Sequence, residues 1–275
     1  MNRVLEVAYA SRWARRLNWI PDDWQGEVLD SEARQMIINC SRQIGKSTTV
    51  AVKVAHTAIF TPGALILLLA PSERQSIELM HKAKEFIEQE GVKCLSLTRT
   101  RAEFSNGSRI FALPGKESTV RGYSGAALVV IDEASRVPDD LYYSIRPMLA
   151  VSNGQVILLS TPWGKRGFFH DIWTSQRSAD WKWPWKGEKP DDGWERYSVI
   201  ASECQRITPE FLEQEKNKMP EWFYKQEYMC DFAETQDSVF THDDIYAMFS
   251  DDVQEVDVGR STMVFDDGLK AMTFR

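Results

Sequence analysis

The sequence lacks any apolar run long enough to cross a membrane. The longest run in its 275 residues, Ala64–Ala70, is far shorter than the roughly 20 residues that a membrane-spanning helix needs. Charged residues interrupt the apolar N-terminal segment where a signal peptide would need an unbroken stretch: Glu6, Arg12, Arg15 and Arg16. These absences exclude a membrane-spanning class and predict a soluble, intracellular protein.

Paired cysteines and a long basic stripe are also missing. The four cysteines are scattered without a CxxC pair, so the sequence predicts neither a disulfide framework nor a zinc site: Cys40, Cys94, Cys204 and Cys230. The net charge of −7 is uneven, because the segment from Asp231 onward holds eleven acids and three bases. The remainder has 29 acids against 30 bases, which argues neither for nor against a nucleic-acid partner.

Buried strands alternate with helices over the first two thirds of the chain. Four apolar segments are predicted strands: Gln35–Cys40, Ala64–Pro71, Ala127–Asp132 and Gln155–Thr161. Two helices are predicted between them, Lys46–Phe60 and Ser72–Gly91, the second with Ser72 as its N-cap and Gly91 as its stop. Asn106-Gly107 predicts a hairpin within Ala102–Gly115. This pattern indicates an α/β protein with a mostly parallel sheet covered by helices.

The composition changes after Phe169. Ala179–Ala201 is rich in Trp, Pro and Gly and predicts an irregular loop that leads into one more strand. Thr208–Phe232 predicts two short helices broken at Pro220. We therefore expect a core over residues 1–177, with an N-terminal helical segment, a small second subdomain over 178–233, and an acidic linker or tail over 234–275.

The stretch CSRQIGKSTT, Cys40 to Thr49, ends like a phosphate-binding loop. It follows a predicted strand and opens a predicted helix, where backbone N–H groups and the helix dipole favour phosphate. Gly45 allows close approach of the backbone, Lys46 reaches the terminal phosphates, and Ser47 supplies a hydroxyl to Mg²⁺. The tripeptide alone is a weak signal, since a solvated helix start with a chance lysine has the same letters.

A second motif strengthens this interpretation. LVVIDEA, Leu128 to Ala134, is a buried strand that ends in two acids. Asp132 can hold the water shell of Mg²⁺, and Glu133 can orient and deprotonate an attacking water. An ordinary strand end with an acidic turn is the alternative for this motif alone. Together, in this order, the two motifs favour a nucleoside triphosphatase.

Four motifs in order resemble the ATPase domain of the large terminase subunit, the DNA-packaging motor of tailed bacteriophages. They are RQIGKS, the hairpin NGSRIFALPG, RGYSGAALVVIDEA and LLSTPWGKRG, and the resemblance runs from about Trp24 to about Phe232. It implies a P-loop fold of the ASCE type with a small C-terminal lid. It also accounts for Cys40 in place of the usual first glycine.

The resemblance assigns roles residue by residue. Arg42 would sense the terminal phosphate, and Arg121 would be an arginine finger that completes a neighbour's site. Ser160 and Thr161 would couple hydrolysis to motion. The nucleotide-binding residues would be Trp24, Gln25, Ser41, Arg42, Gln43, Ile44, Gly45, Lys46, Ser47 and Thr48. The metal would be held by Ser47 and Asp132, and Glu133 would be catalytic.

Several of these assignments have open alternatives. Gln25 also fits a polar residue in a turn before a helix, Arg121 also fits a surface arginine, and Ser160-Thr161 also fits a strand-end turn before proline. Other arginines are less favoured candidates for the finger: Arg99, Arg101, Arg136 and Arg146. Whether Arg121 would act within one chain or between two chains is also open.

The expected function is Mg²⁺-dependent ATP hydrolysis that drives double-stranded DNA into a viral procapsid in the host cytoplasm. The implied partners are DNA, a portal protein and a small terminase subunit, in a homo-oligomeric ring when active, with a monomer in isolation left open. The alternatives are a helicase-like ATPase stimulated by nucleic acid and a non-hydrolysing nucleotide- or portal-binding module. No nuclease activity is expected, because the family's nuclease domain needs converging acids, and Asp257, Asp266 and Asp267 lie in a short tail.

Overall fold

The protein is built around an eight-stranded sheet, seen here in a computed structural model that describes residues 3–116, 120–175 and 193–233. All of these residues belong to one unit, Met1–Thr235. The strands are β1 (Gln35–Cys40), β2 (Leu65–Ala70), β3 (Cys94–Leu97), β4 (Arg101–Phe104), β5 (Arg109–Pro114), β6 (Leu128–Asp132), β7 (Gln155–Ser160) and β8 (Trp194–Val199).

Helices lie between and before these strands. They are α1 (Arg3–Ala8), α2 (Ala10–Arg16), α3 (Asp23–Asp30), α4 (Lys46–Phe60), α5 (Glu73–Glu90), α6 (Asp139–Ser152), α7 (Gly167–Thr174), α8 (Pro209–Lys218) and α9 (Glu221–Tyr228). Short 3₁₀ turns occupy Ala134–Arg136 and Ala201–Glu203. In the part of the chain that the structure describes, no helix is both long and apolar enough to cross a membrane.

The strand order is β3-β4-β5-β2-β6-β7-β1-β8. The six strands from β5 to β8 in this order pair in parallel, whereas the β3–β4 and β4–β5 pairs are antiparallel and form one edge. Strand β7 lies between β1, which precedes the phosphate loop, and β6, which carries the acidic motif. The predicted fold class, a mostly parallel sheet covered by helices, is therefore confirmed.

Alternating residues of the central strands build two apolar layers, one on each face of the sheet. Met36 and Ile38 of β1 join the layer under helices α2 to α5, while Ile37 joins the layer under α6 and α7. A parallel sheet buried on both faces needs strands that are apolar almost throughout, as these are. The two layers fix the carboxyl ends of β1, β6 and β7 side by side.

Several predicted elements are confirmed closely. Helix α4 has the predicted bounds. In α5 the N-cap Ser72 accepts a hydrogen bond from the Gln75 N–H, and Gly91 ends the helix with φ +73°. Gly107 turns the β4–β5 hairpin with φ +84°. The predicted break between two short helices lies at Pro220, the N-cap of α9.

The three-part division of the chain stays a prediction. Its first boundary, at residues 177 and 178, lies outside the described residues, as do the tail from 234 onward and three tryptophans of the predicted loop: Trp181, Trp183 and Trp185. The described part beyond the boundary contributes β8, which pairs in parallel with β1 from Gln35 opposite Trp194 to Cys40 opposite Val199. The residues from 193 to 199 therefore extend the central sheet.

Candidate nucleotide-binding site

The candidate site lies where three neighbouring parallel strands end. Strand β1 ends at Cys40 and runs into the phosphate loop, β6 ends at Asp132, and β7 ends at Ser160. Asp132 lies opposite Leu159 in the sheet, and Ser160 lies opposite Asn39. The carboxyl ends of parallel strands are the usual ligand-binding edge of an open α/β sheet. The register thus brings the acids Asp132 and Glu133 and the hydroxyl residues Ser160 and Thr161 close to the phosphate loop.

The loop has the backbone of a phosphate cradle. Gly45 is the N-cap of α4 with φ +91°, and Gln43 also has a positive φ, of +64°. Within the described residues, no N–H group from Gln43 to Thr48 donates to a backbone carbonyl. Successive free N–H groups at a helix N-terminus attract anions. A Cβ on Gly45 would lie 2.8 Å from Gln25 Nε2, so a larger residue would have to displace the end of the Gln25 side chain in addition to adopting a strained conformation.

Contacts from distant segments hold the loop in place. The Ser41 N–H donates to the Val199 carbonyl at 3.0 Å, and the Arg42 N–H donates to the Glu227 carbonyl at 3.2 Å. The Arg42 guanidinium also forms an ion pair with the buried Glu227 carboxylate. The start of the loop is therefore tied to β8 and to the end of α9, while the predicted contact of Arg42 with the terminal phosphate stays a prediction.

The carbonyl of Ile44 accepts two hydrogen bonds. Gln25 Nε2 donates to it at 3.3 Å and a guanidinium N–H of Arg206 donates at 2.9 Å. Arg206 also binds both carboxylate oxygens of Asp22, the N-cap of α3, at 3.1 and 2.8 Å. Gln25 Oε1 accepts from the Asp22 N–H at 2.9 Å. Together these contacts hold the start of α3 against the loop.

Trp24 and Gln25 are buried in this arrangement. Trp24 is 7% exposed and packs in the apolar layer of α3 and α4, while Gln25 is 2% exposed. One acceptor and one donor of the Gln25 amide are used within the protein, which leaves a second of each. Their predicted contact with adenine stays a prediction, and the observed roles are packing and support of the loop.

The predicted metal ligands lie next to each other. Ser47 donates its hydroxyl to Asp132 Oδ2 at 3.1 Å, and the Glu133 N–H donates to Asp132 Oδ1 at 2.9 Å. Burial raises the pKa of Asp132 to about 6, with a further contribution from Glu133 and an opposing one from Lys46. A buried carboxylate that lacks a full counter-charge fits a cation position. Among the described residues no cluster of three or more acidic, histidine or cysteine ligands occurs, so Mg²⁺ would depend on phosphate and water for its other ligands.

Glu133 is held beside Lys46. Its backbone is left-handed, with φ +51°, and its Oε1 lies 3.7 Å from the Lys46 ammonium, which is itself 7% exposed. The second carboxylate oxygen, Oε2, is buried and has no hydrogen-bond partner in the described part of the chain. A non-glycine residue in this conformation is uncommon, and such strain is typical of functional positions. Glu133 therefore offers a free acceptor close to the phosphate-binding lysine.

The predicted coupling residues are buried behind Glu133. Ser160 and Thr161 are both 0% exposed. The Ser135 hydroxyl lies 2.7 Å from Ser160 Oγ and donates to the Thr161 carbonyl at 2.8 Å. The hydroxyl of Thr161 is buried without a partner among the described residues. The two motifs are thus in direct contact.

The candidate finger arginines differ in whether they lie near the phosphate loop. Arg136, a less favoured candidate, lines the loop cavity, whereas Arg121 is exposed and is not among the lining residues. Arg101 pairs with Glu103, and Arg146 bonds to Gln35, both away from the loop. The role of Arg121 between subunits stays a prediction.

A cavity of about 590 Å³ lies over the loop, within the usual range of ligand sites. Its lining residues are Arg42, Gln43, Gly45, Lys46, Ser47, Thr48, Gln75, Lys82, Glu133 and Arg136. Four of these are cationic and one is acidic, so the cavity suits a polyanion. A second, larger cavity of about 760 Å³ involves none of the motif residues.

Some residues of the site could not be found from local patterns. Arg206, Glu227 and Lys82 belong to no motif and are brought to the loop by packing of distant elements. Ser135 adjoins the acidic motif. Its contact with Ser160 follows from the side-by-side placement of the ends of β6 and β7, which the sequence does not show.

This fold and site define a phosphate-loop domain of the ASCE class. The family model for the N-terminal part of the T4likevirus-type terminase large subunit matches residues 37–246. The chain therefore belongs to that family, and the resemblance drawn from the sequence is confirmed.

Known relatives agree with this assignment. The large terminase subunits of Thermus phage G20c and Thermus virus P23-45 are each 24% identical over 254 residues, covering 82% of this chain and 51% of the relative. The chain thus spans about half the length of these curated relatives. Among solved structures, the ATPase domain of the Thermus phage P74-26 large terminase matches with a TM-score of 0.71 and 19% identity, over 81% of this chain and 98% of that domain. The large terminase of bacteriophage D6E in complex with ADP matches with a TM-score of 0.60 and 10% identity, over 83% and 52%.

Proposed function

We propose that this chain hydrolyses ATP with Mg²⁺ and that the hydrolysis drives double-stranded DNA into a viral procapsid. The observation that carries the proposal is the placement of Glu133 Oε1 at 3.7 Å from Lys46, beside the hydrogen-bonded Ser47–Asp132 pair. Relatives whose names describe large terminases, and a solved neighbour that binds ADP, support the same class of activity.

The loop and Lys46 bind the phosphates in this proposal. The free N–H groups from Gln43 to Thr48 and the N-terminus of α4 hold the negative oxygens, and Lys46 places its charge between the terminal phosphates and Glu133. The Glu133 carboxylate, whose Oε1 lies 3.7 Å from Lys46, accepts a proton from the attacking water. The low exposure of Lys46 strengthens these interactions, since water screens them less.

Ser47 and Asp132 would hold Mg²⁺. The bound ion would neutralise charge that develops on the transferring phosphoryl group. The raised pKa of Asp132 fits this role, because a cation beside the carboxylate would offset the cost of burying its charge.

Arg42 and Arg121 supply further positive charge. Arg42 is paired with Glu227, and its side chain is 55% exposed, so it can turn from α9 towards a terminal phosphate. Exposed Arg121 would reach the nucleotide of a neighbouring subunit in a ring. An arginine finger contributes about 10³–10⁵ in rate, so an isolated subunit would hydrolyse slowly.

The remaining parts of the proposal follow from the family. Ser160 and Thr161 would report the state of the terminal phosphate to the segment that follows them. The portal protein, the small terminase subunit and DNA would be the partners, in a homo-oligomeric ring in the host cytoplasm. Nuclease activity is not proposed for this chain.

Substitution of the catalytic glutamate tests the proposal. Glu133→Gln should keep ATP binding within about threefold and lower the rate of hydrolysis by about 10²–10⁴, because the general base is lost while the phosphate contacts stay. Binding would be measured with a fluorescent ATP analogue and turnover by phosphate release. Lys46→Ala is the companion variant and should lose binding.

Three results would contradict the proposal. Equal phosphate release by the wild type and Glu133→Gln would show that Glu133 is not the base. Tight ATP binding by a wild type that never turns over would favour the non-hydrolysing module, and unwinding of duplex DNA coupled to hydrolysis would favour the helicase-like alternative.

A further inference from the structure

The turn that carries Glu133 is attached to the segment after β7 at two points. The first is Ser135, whose hydroxyl contacts Ser160 and the Thr161 carbonyl at 2.7 and 2.8 Å. The second is Arg136, whose guanidinium carbon lies 3.8 Å from the ring centroid of Trp163. A guanidinium stacked on an indole at this distance gains cation–π and dispersion energy. The turn is therefore linked by contacts to the segment from Ser160 to Trp163.

Arg136 also faces the carboxylate of Glu133. Its Nε lies 4.0 Å from Glu133 Oε2, the buried oxygen that lacks a hydrogen-bond partner in the described part of the chain. On the other side, Oε1 lies 3.7 Å from Lys46. The carboxylate is thus placed between two cations and within hydrogen-bond distance of neither.

The stack on Trp163 limits where Arg136 can go. The Arg136 side chain is 31% exposed, and one face of its guanidinium is covered by the indole. A displacement of Trp163 would therefore displace the charge that faces Glu133. Arg136 lines the same cavity as the phosphate loop, so this linkage lies at the edge of the nucleotide site.

We propose that Arg136 is a positioning residue that sets the Glu133 carboxylate for catalysis and links it, through its stack on Trp163, to the coupling segment Ser160–Trp163. This proposal rests on the proposed ATP hydrolysis and deepens it. Arg136 acts through Glu133 on the nucleophile and through Trp163 on the coupling segment. Lysine cannot replace it, because an ammonium keeps the charge but lacks the planar face that stacks on the indole.

A double-mutant cycle tests the linkage. Arg136→Gln should lower kcat at least about tenfold and change KM less than about threefold, because the effect acts on the chemical step. Trp163→Leu should lower kcat in the same direction by a smaller factor. The double variant should match Arg136→Gln alone, since the stack has no further role once Arg136 is gone. Arg136→Lys should recover little of the loss.

Arg109→Gln is the matched control. Arg109 is exposed at the start of β5, at the opposite edge of the sheet from the site, and the change should leave kcat and KM as in the wild type. Thermal melting of each variant checks that the fold is retained. Effects of Arg136→Gln and Trp163→Leu that multiply in the double variant would overturn the proposal. So would an Arg136→Gln variant with wild-type kcat, or one in which KM alone rises.

A second measurement does not depend on turnover. Hydrogen exchange of peptides covering residues 160–166 should change when ATPγS binds the wild type, and Arg136→Gln should abolish this response while its affinity for ATPγS stays within about threefold. A response that persists in Arg136→Gln would overturn the linkage. If the wild type hydrolyses no ATP under any condition, the proposed function fails, and the exchange experiment still decides the linkage.

Discussion

At the residue scale, Lys53 shows how a buried charge joins two elements. Its ammonium, on α4, donates to three carbonyls at the end of α3: Val28 at 3.3 Å, Leu29 at 2.9 Å and Ser31 at 2.8 Å. The last carbonyls of a helix have no partner within the helix, and a cation there also complements the helix dipole. Lys53 therefore fixes α3, which carries Gln25, onto the helix that begins at the phosphate loop.

The charge of Lys53 gives a pH dependence with a defined sign. Burial lowers its pKa from 10.5 to about 8. Between these pH values the unfolded chain binds more protons than the folded chain, so the contribution of Lys53 to the free energy of unfolding rises with pH across that window. Below pH 8 the cost of burying the charge is fully present.

Lys53→Met should lower the free energy of unfolding, because three buried carbonyls lose their donor. The difference between the wild type and Lys53→Met should be about 1–3 kcal/mol larger at pH 9.5 than at pH 7. Urea denaturation at the two pH values measures it, and groups common to both proteins cancel. Exposed Lys93→Met is the control and should show no such change. A difference that is independent of pH, or larger at pH 7, would contradict this interpretation.

At the element scale, helices with clear capping residues could be predicted from local sequence, whereas other helices depend on tertiary packing. The caps of α5 were readable because Ser72 and Gly91 satisfy helix ends by themselves. Helix α6 was not predicted, and it carries Pro147 in its interior, where proline normally ends a helix. Its apolar side chains pack under the sheet, and that burial outweighs the local cost.

The residues of the candidate site also fall into two groups, those found in local motifs and those brought in by packing. Lys46, Ser47, Asp132 and Glu133 were identified because each lies at a strand or helix end within a short motif. Arg206 belongs to no motif and reaches the loop only because β8 pairs with β1, a contact between segments about 160 residues apart. Sequence patterns carry local conformation, whereas such contacts depend on how the elements pack.

Arg206→Ala tests whether this contact prepares the loop. ATP affinity should fall by about three- to tenfold, because the Ile44 carbonyl loses a donor and the start of α3 is released from the loop. The free energy of unfolding should fall by less than about 1 kcal/mol, since Arg206 is half exposed. Isothermal calorimetry and urea denaturation measure the two effects, with exposed Gln205→Ala as the control. Unchanged affinity in Arg206→Ala would show that the contact has no part in nucleotide binding.

At the scale of the whole molecule, the described part of one chain brings the phosphate loop and several cations to the cavity and leaves Arg121 outside its lining. Lys46, Arg42 and Arg136 line the cavity, and the predicted finger Arg121 is exposed away from it. A finger that acts between subunits would place the last positive charge only when neighbours assemble. The ring stays a proposal, which rests on the family and on this expected role of Arg121.

The measurement that tests the central claim most directly is the rate of ATP hydrolysis per subunit, with Mg²⁺, over a wide range of protein concentration. We expect the rate to rise with concentration as neighbouring subunits complete each other's sites, and we expect Arg121→Ala to remove the rise while ATP binding persists. Glu133→Gln should stay at background throughout. A wild-type rate at background at every concentration, with and without double-stranded DNA, would contradict the account.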